Sequence, residues 1–462
     1  MEELRIYAPT AILGYGYPQS SLENAIARRP HVIAVDAGST DGGPAYLGIE
    51  PETVRATGQG ASLLEFVGRD VGPLLELSCD AKIPLLVGSA GFAGGNLHLA
   101  GAQIAFLKAA KERGLRFTMA KISAEVDRDY VKEKLRQGRI EPLGPVAKLT
   151  EAEVDAAVRI VAQMGVEPFI EALRRGAQVV LAGRANDPSM FAAVPLMRGF
   201  DRGLAMHMAK ILECGAIAAD PGSGSDGLLG TLRRDHFLLE ALSPERRCTT
   251  RSVAAHSLYE KSDPVHLYGP GGTTDLSDVR FEQYDERIVK VSGSRFVPTP
   301  RYQLKLEGAK RVGFRTIAIA GVRDPGTIAH FDELIDAARR GVRSKFSDLS
   351  QTDYQLAFRV YGRDAVMGEL EHHRGPPPHE LGLVIEVVAQ TQALATGICG
   401  HARSVMVHHG FEERMSTAGN LAFPFSPLDI PAGPVYAFNI YHLMDEEDPL
   451  EHFPIEMIEV GA

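Results

Sequence analysis

Apolar residues in the first half of the chain follow two rhythms. Short, nearly unbroken runs occur in LRIYAPTAIL, HVIAVDAG, KIPLLVGSAG, RFTMAKIS and AQVVLAGRA, and each ends in glycine, polar residues or both. Continuous apolar character of this length is what a strand covered on both faces requires. Between several of these runs, LHLAGAQIAFLKAAKERG, YVKEKLRQG and EVDAAVRIVAQMGVEPFIEALRRG repeat apolar positions at helical spacing. Glycine closes each of the three, as a helix C-terminus favours. Strand–helix–strand repetition predicts an α/β fold in the N-terminal part, a parallel sheet with helices on both faces.

After about residue 240 the pattern changes. VRFEQYDERIVKVSGSRF and RYQLKLEGAKRVGFRTIAIAGV read as strands with hairpin-like turns, and helices return in TIAHFDELIDAARRGVRSKF and TQALATGICGHARSVMVHHG. The expected organisation is an α/β ligand-binding domain over 1–245 and a smaller α+β domain over 246–462 that contributes to the cleft. A chain of 462 residues is long enough for two such cores. HHRGPPPHE is expected as an exposed loop, because three prolines fit neither a ladder nor a helix interior.

Composition narrows the function classes. Hydrophobic residues at 45% and charged residues at 23% describe a folded globular chain. A formal charge of −10 offers no basic face for duplex nucleic acid, but it leaves small anionic ligands open, since one loop can be locally positive. Cys79, Cys214, Cys248 and Cys399 form no CxxC pair, so neither a zinc knuckle nor a disulfide framework is readable. No basic leader and no apolar run of membrane-spanning length is visible, which makes a cytoplasmic location without a membrane partner the expectation. A homo-oligomer is expected by analogy with other α/β metabolic proteins.

Ligands of parallel sheets bind where loops converge beyond the strand ends. Three polar loops follow apolar runs here. Asp36, Ser39, Thr40 and Asp41 lie in the first; two carboxylates and two hydroxyls could move a proton, hold a metal or fix a substrate carboxylate. The plainer alternative is a turn whose side chains satisfy its own backbone. Gly91, Gly94, Gly95 and Asn96 lie in the second, before a long helical pattern, where glycine N–H groups and a helix start suit an anion; packing alone is the alternative. GK[ST] is missing, so this is no P-loop, and no acid follows in the place a nicotinamide ribose needs. Arg184, Asn186 and Asp187 lie in the third, with Arg184 either gripping an anion or pairing with Asp187.

HMAKILECG places His207, Lys210 and Cys214 on one helical face, candidates for base, electrophile and nucleophile. Alternatively Lys210 and Glu213 are solvated charges and Cys214 is core. Tyr259 and Glu260, in AHSLYEKSDP, are expected to line the cleft.

Together DAGSTDGGPAYLG, VGSAGFAGGN, LAGRANDPSMFAA, HMAKILECG, AHSLYEKSDP and VSGSRF resemble the acyclic terpene utilisation (AtuA-like) family, over about residues 30–320. The resemblance implies work near catabolic pathways for branched acids carried as coenzyme A thioesters, and it assigns no catalytic residue. It also implies an acid before the PGG turn, where this chain has Gly269.

The leading expectation is a lyase, hydratase or isomerase for a small carboxylic acid or its acyl-CoA. Asp36 or Asp41 would move a proton or hold a divalent cation, magnesium or manganese, with no redox cofactor. A nucleotide-dependent ligase or transferase, and a noncatalytic acyl-CoA-binding subunit beside an acyl-CoA enzyme partner, are the alternatives.

Overall fold

Five strands that match the five apolar runs form the parallel centre of a ten-stranded sheet. Their spatial order is Leu4–Ala8, Val32–Asp36, Leu85–Gly88, Val179–Ala182 and Phe117–Ile122. Alternate side chains explain why the runs are apolar throughout. Val32 and Ala34 enter one core, Ile33 and Val35 the other, and Val180 and Leu181 divide in the same way. Helices close both faces, as the α/β pattern requires.

The sheet is mixed rather than parallel throughout. Leu228–Leu232, His236–Ala241, Ile288–Ser292 and Arg280–Gln283 extend it antiparallel beyond Leu4–Ala8, and Ile455–Val460 pairs antiparallel with Phe117–Ile122 at the other edge. The computed structural model describes residues 2–461 apart from Gly58, Lys261, Gln351, Arg374 and Ser416, with the side chains of 55–64 also outside it.

Two expected elements differ. The stretch EVDAAVRIVAQMGVEPFIEALRRG is not one helix but a helix, Glu151–Ala156, a strand, Arg159–Ala162, and a second helix, Glu167–Arg174. β-Branched Ile160 and Val161 favour the strand, which pairs with Leu306–Ala309. RYQLKLEGAKRVGFRTIAIAGV forms no hairpin; Tyr302–Val322 is a single 21-residue strand. Its glycines are absorbed by close packing, Gly308 against Ile440 among them.

The chain divides into one unit of residues 1–310 and 438–462 and a second of residues 311–437. Residues 240–265, where the sequence pattern changes, lie inside the first unit because the hairpin that follows joins the large sheet. The second unit is α+β. Tyr354–Tyr361, Leu381–Ala389 and the end of Tyr302–Val322 pair antiparallel, and Phe331–Lys345 and Gln392–His408 close one face over a core of their own. The described residues of 372–380 form the expected exposed loop, with Arg374 outside the described residues.

Candidate active site

The three strand-end loops meet, all within the first unit. Ala37 donates its N–H to the Gly88 carbonyl at 2.9 Å, and Ser89 donates to the Gly183 carbonyl at 2.9 Å. The approach is too close for side chains. A Cβ on Gly38 would lie 2.4 Å from the Phe92 backbone, and one on Gly94 would lie 2.2 Å from the Arg184 nitrogen. Strain concentrates at the same place: Ser89 has φ 49° and Phe92 φ 90°, left-handed backbone that non-glycine residues seldom adopt.

Arg184 is the centre of this junction. Its Nε donates to Glu307 Oε2 at 2.8 Å, and its Nη1 donates to Ser89 Oγ, the Ala185 carbonyl and Asp187 Oδ1 at 3.0–3.1 Å. Glu307 in turn accepts from Thr40 Oγ1 at 2.8 Å and faces Lys305 Nζ at 2.8 Å. Burial opposes charge on Glu307, yet Arg184 and Lys305 hold its carboxyl down to about 2. The guanidinium stays charged in the same way, with Glu307 and Asp187 outweighing its own burial. Arg184 therefore does pair with Asp187, and more besides; it anchors the loops.

Asp36 stands beside this network at the end of its strand. Its Oδ1 accepts the N–H groups of Ala37 and Gly38 at 2.9 and 3.4 Å. Burial first, then the charges of Asp187 and Glu213, push its carboxyl well above the usual range, against the opposing pull of Arg184. Lys210 belongs to the same neighbourhood. Burial would strip its proton, but Glu213, hydrogen-bonded to Nζ, keeps it charged, with Cys214 and Asp187 adding to the effect. The ammonium lies over the Tyr259 ring, 5.8 Å from its centre. A narrow crevice reaches Lys210 between Asn186, Tyr268, Gly269 and Pro270.

The family profile for "Acyclic terpene utilisation family protein AtuA" matches residues 85–221 and 241–419, more than half of the chain. The chain belongs to the acyclic terpene utilisation family. That membership implies a catabolic role. The second and third loops, the His207–Cys214 segment, Tyr259 and Glu307 all lie inside the matched segments, whereas Asp36 precedes them. Comparison with curated proteins and with solved structures finds no match. At Gly269, where the family resemblance implies an acid, a Cβ would lie 3.5 Å from Asn186 Oδ1, in ordinary contact.

The other family-segment candidates are placed less favourably for chemistry. His207 is fully buried; its Nδ1 and Nε2 are bonded to Ser294 Oγ and Ser257 Oγ at 2.7 and 2.9 Å, and burial pushes it down to about 3. With both nitrogens taken it supports the fold and is no base. Lys210 and Glu213 are a buried pair, not solvated charges. Burial and then Glu213 push the Cys214 thiol up, which opposes a thiolate nucleophile.

The glycine loop is tightly packed. Gly91 and Gly94 have φ 71° and 67°, and a Cβ on Gly95 would lie 2.3 Å from Arg159 Cδ. The helix start at Asn96 is occupied from within, since Glu125 Oε1 accepts the Asn96 N–H at 2.8 Å. In the first loop Ser39 caps Asp41 N–H, as a turn would, and Asp41 is exposed. Asp36 is buried while Asp41 faces outward, and the Arg184 guanidinium stands beside Asp36. Among the described residues Glu446, Glu451 and His452 come close enough to share a cation, but Glu446 already holds Lys134 Nζ at 2.9 Å. Tyr259 and Glu260 are exposed, with the Tyr259 ring beneath the Lys210 ammonium, and neither is among the residues that line the crevice.

Sequence reasoning assigned no role to Glu307, Ser89 or His256, although each lies in a stretch that it singled out. Glu307 is 123 positions from Arg184, so no local spacing announces the pair, and in a strand run that also carries Lys305, Lys310 and Arg311 one acid does not stand out. His256 stacks on Tyr259 with centres 5.3 Å apart, and burial, then Lys210, push it down to about 4.

Proposed function

We propose that the protein is a catabolic lyase, hydratase or isomerase acting on a small carboxylic acid or its acyl-CoA thioester by acid/base chemistry. Asp36 is the general acid and Lys210 the cation that receives developing negative charge on the substrate oxygen. The observation that carries this reading is the buried, raised carboxyl of Asp36, which shares the neighbours Asp187 and Glu213 with a lysine that stays charged. With Oδ1 accepting two main-chain N–H groups, the proton belongs on Oδ2, from which it can pass to a leaving hydroxyl or an enolate carbon. Substrate reaches Lys210 through the crevice beside Asn186 and Tyr268. Arg184 holds the loops rather than the substrate, which revises its expected role.

Against the ligase reading stands Glu125, whose carboxylate accepts the Asn96 N–H at the helix start after the glycine loop. A noncatalytic acyl-CoA-binding subunit is the second reading, favoured by the internal saturation of Arg184. The deciding experiment is turnover and thermal shift with branched short-chain acyl-CoA thioesters and the free acids, in wild type and Asp36→Asn. The expected result is a raised melting temperature in both proteins, with turnover lower in the variant by roughly 10²–10⁴-fold. Full turnover by Asp36→Asn removes the general acid; binding without turnover in wild type favours the subunit reading.

A further inference from the structure

Sheet edges invite pairing unless something blunts them. Both edges of the large sheet are blunted. Arg280–Gln283 is four residues long with Arg280 and Glu282 exposed, and Ile455–Val460 presents Glu456 and Glu459. The edge strand of the second unit differs. Tyr354–Tyr361, YQLAFRVY, has eight residues with no proline, glycine or lysine. It pairs with Leu381–Ala389 on one side and, among the described residues, with no strand on the other. Tyr354, Leu356 and Phe358 pack against the core of their unit yet stay half-buried, whereas Val360 in the same row is buried. Beyond the strand, Val366 and Leu370 are 83% and 76% exposed.

We infer that this edge is a self-association surface, at which two copies of the chain pair their Tyr354–Tyr361 strands antiparallel about a twofold axis through Leu356. An antiparallel pairing leaves side chains of like parity on the same face, so the apolar rows of the two copies become continuous. In this register Leu356 meets its own copy, Tyr354 faces Phe358, and Asp353, which caps Ser350, faces Arg359, whose guanidinium also holds Glu386. The strand end thus opposes unlike charges at both ends of the contact. Such self-matching singles out a second copy of this chain over an unrelated peptide, and it makes the interface isologous and closed. The inference is independent of the proposed chemistry, whose residues all lie in the first unit.

Sedimentation velocity and oxidative cross-linking of the full chain test it. Wild type is expected at the mass of two chains at micromolar concentration, and Leu356→Lys at the mass of one with an unchanged circular dichroism spectrum. Leu356→Cys is expected to cross-link between copies under mild oxidation. Tyr361→Cys is not, because five residues at about 3.3 Å each separate it from the axis on either side. Monomeric wild type overturns the inference, and so does a dimer that cross-links at residue 361 but not at 356. The cysteine pair decides the matter even where Leu356→Lys fails to fold.

Discussion

Arg184 carries the chemistry of a ligand-binding residue and the surroundings of a structural one. Removing it leaves Glu307, whose side chain is 1% exposed, without its guanidinium. Arg184→Ala should therefore cost about 3 kcal/mol in urea unfolding, the low end of the penalty for breaking a buried ion pair, because Lys305 still faces Glu307. Wild-type stability in that variant would remove Arg184 from its anchoring role. Asp36 acts in the opposite electrostatic sense. Its folded carboxyl lies above the unfolded value, so the folded chain binds that proton more tightly. The resulting stability is fully present below about pH 4 and is lost as pH rises through the folded value. Asp36→Asn, which cannot ionise, should thus gain on wild type from about pH 4 upward in melting temperature; a difference that is flat with pH contradicts a raised carboxyl.

Elements are where the sequence is most readable. The five parallel strands coincide with the five apolar runs, and the helices Asn96–Arg113 and Arg128–Arg136 coincide with two of the glycine-closed patterns, because burial on both faces or one face writes itself locally. The strand Arg159–Ala162 was hidden between two short helices, since apolar spacing there fits either period. The three loops were legible as a meeting place, but their internal partners were not. Glu125 at the Asn96 helix start and Glu307 at Arg184 come from distant segments, and only the folded chain brings them to those positions. The glycine loop gives the clearest test. Gly94→Ala places a Cβ against the Arg184 backbone at φ 67°, so a loss of at least about 2 kcal/mol is expected from strain and displacement together. A neutral effect on the melting temperature would show that the loops can part without cost.

At the scale of the whole molecule, each unit has its own core. The core of residues 311–437 draws only on its own side chains, Leu334 and Leu383 among them. Leu334→Ala should cost about 2–5 kcal/mol, and amide exchange should rise across that unit while Val32–Asp36 and Val179–Ala182 keep their protection. Exchange that rises equally in both units would show a single cooperative block.

The way the chain enters and leaves the second unit has a further consequence. Tyr302–Val322 carries it out, Asp429–Glu446 brings it back, and near the crossing Gly308 packs on Ile440 as the two strands run side by side. A segment whose two ends are neighbours can be gained or lost as a cassette, with a short turn closing the gap. All of the candidate chemistry precedes Lys310, so the two parts are free to diverge at different rates: the first constrained by the buried charges that tie its loops together, the second by a core of its own.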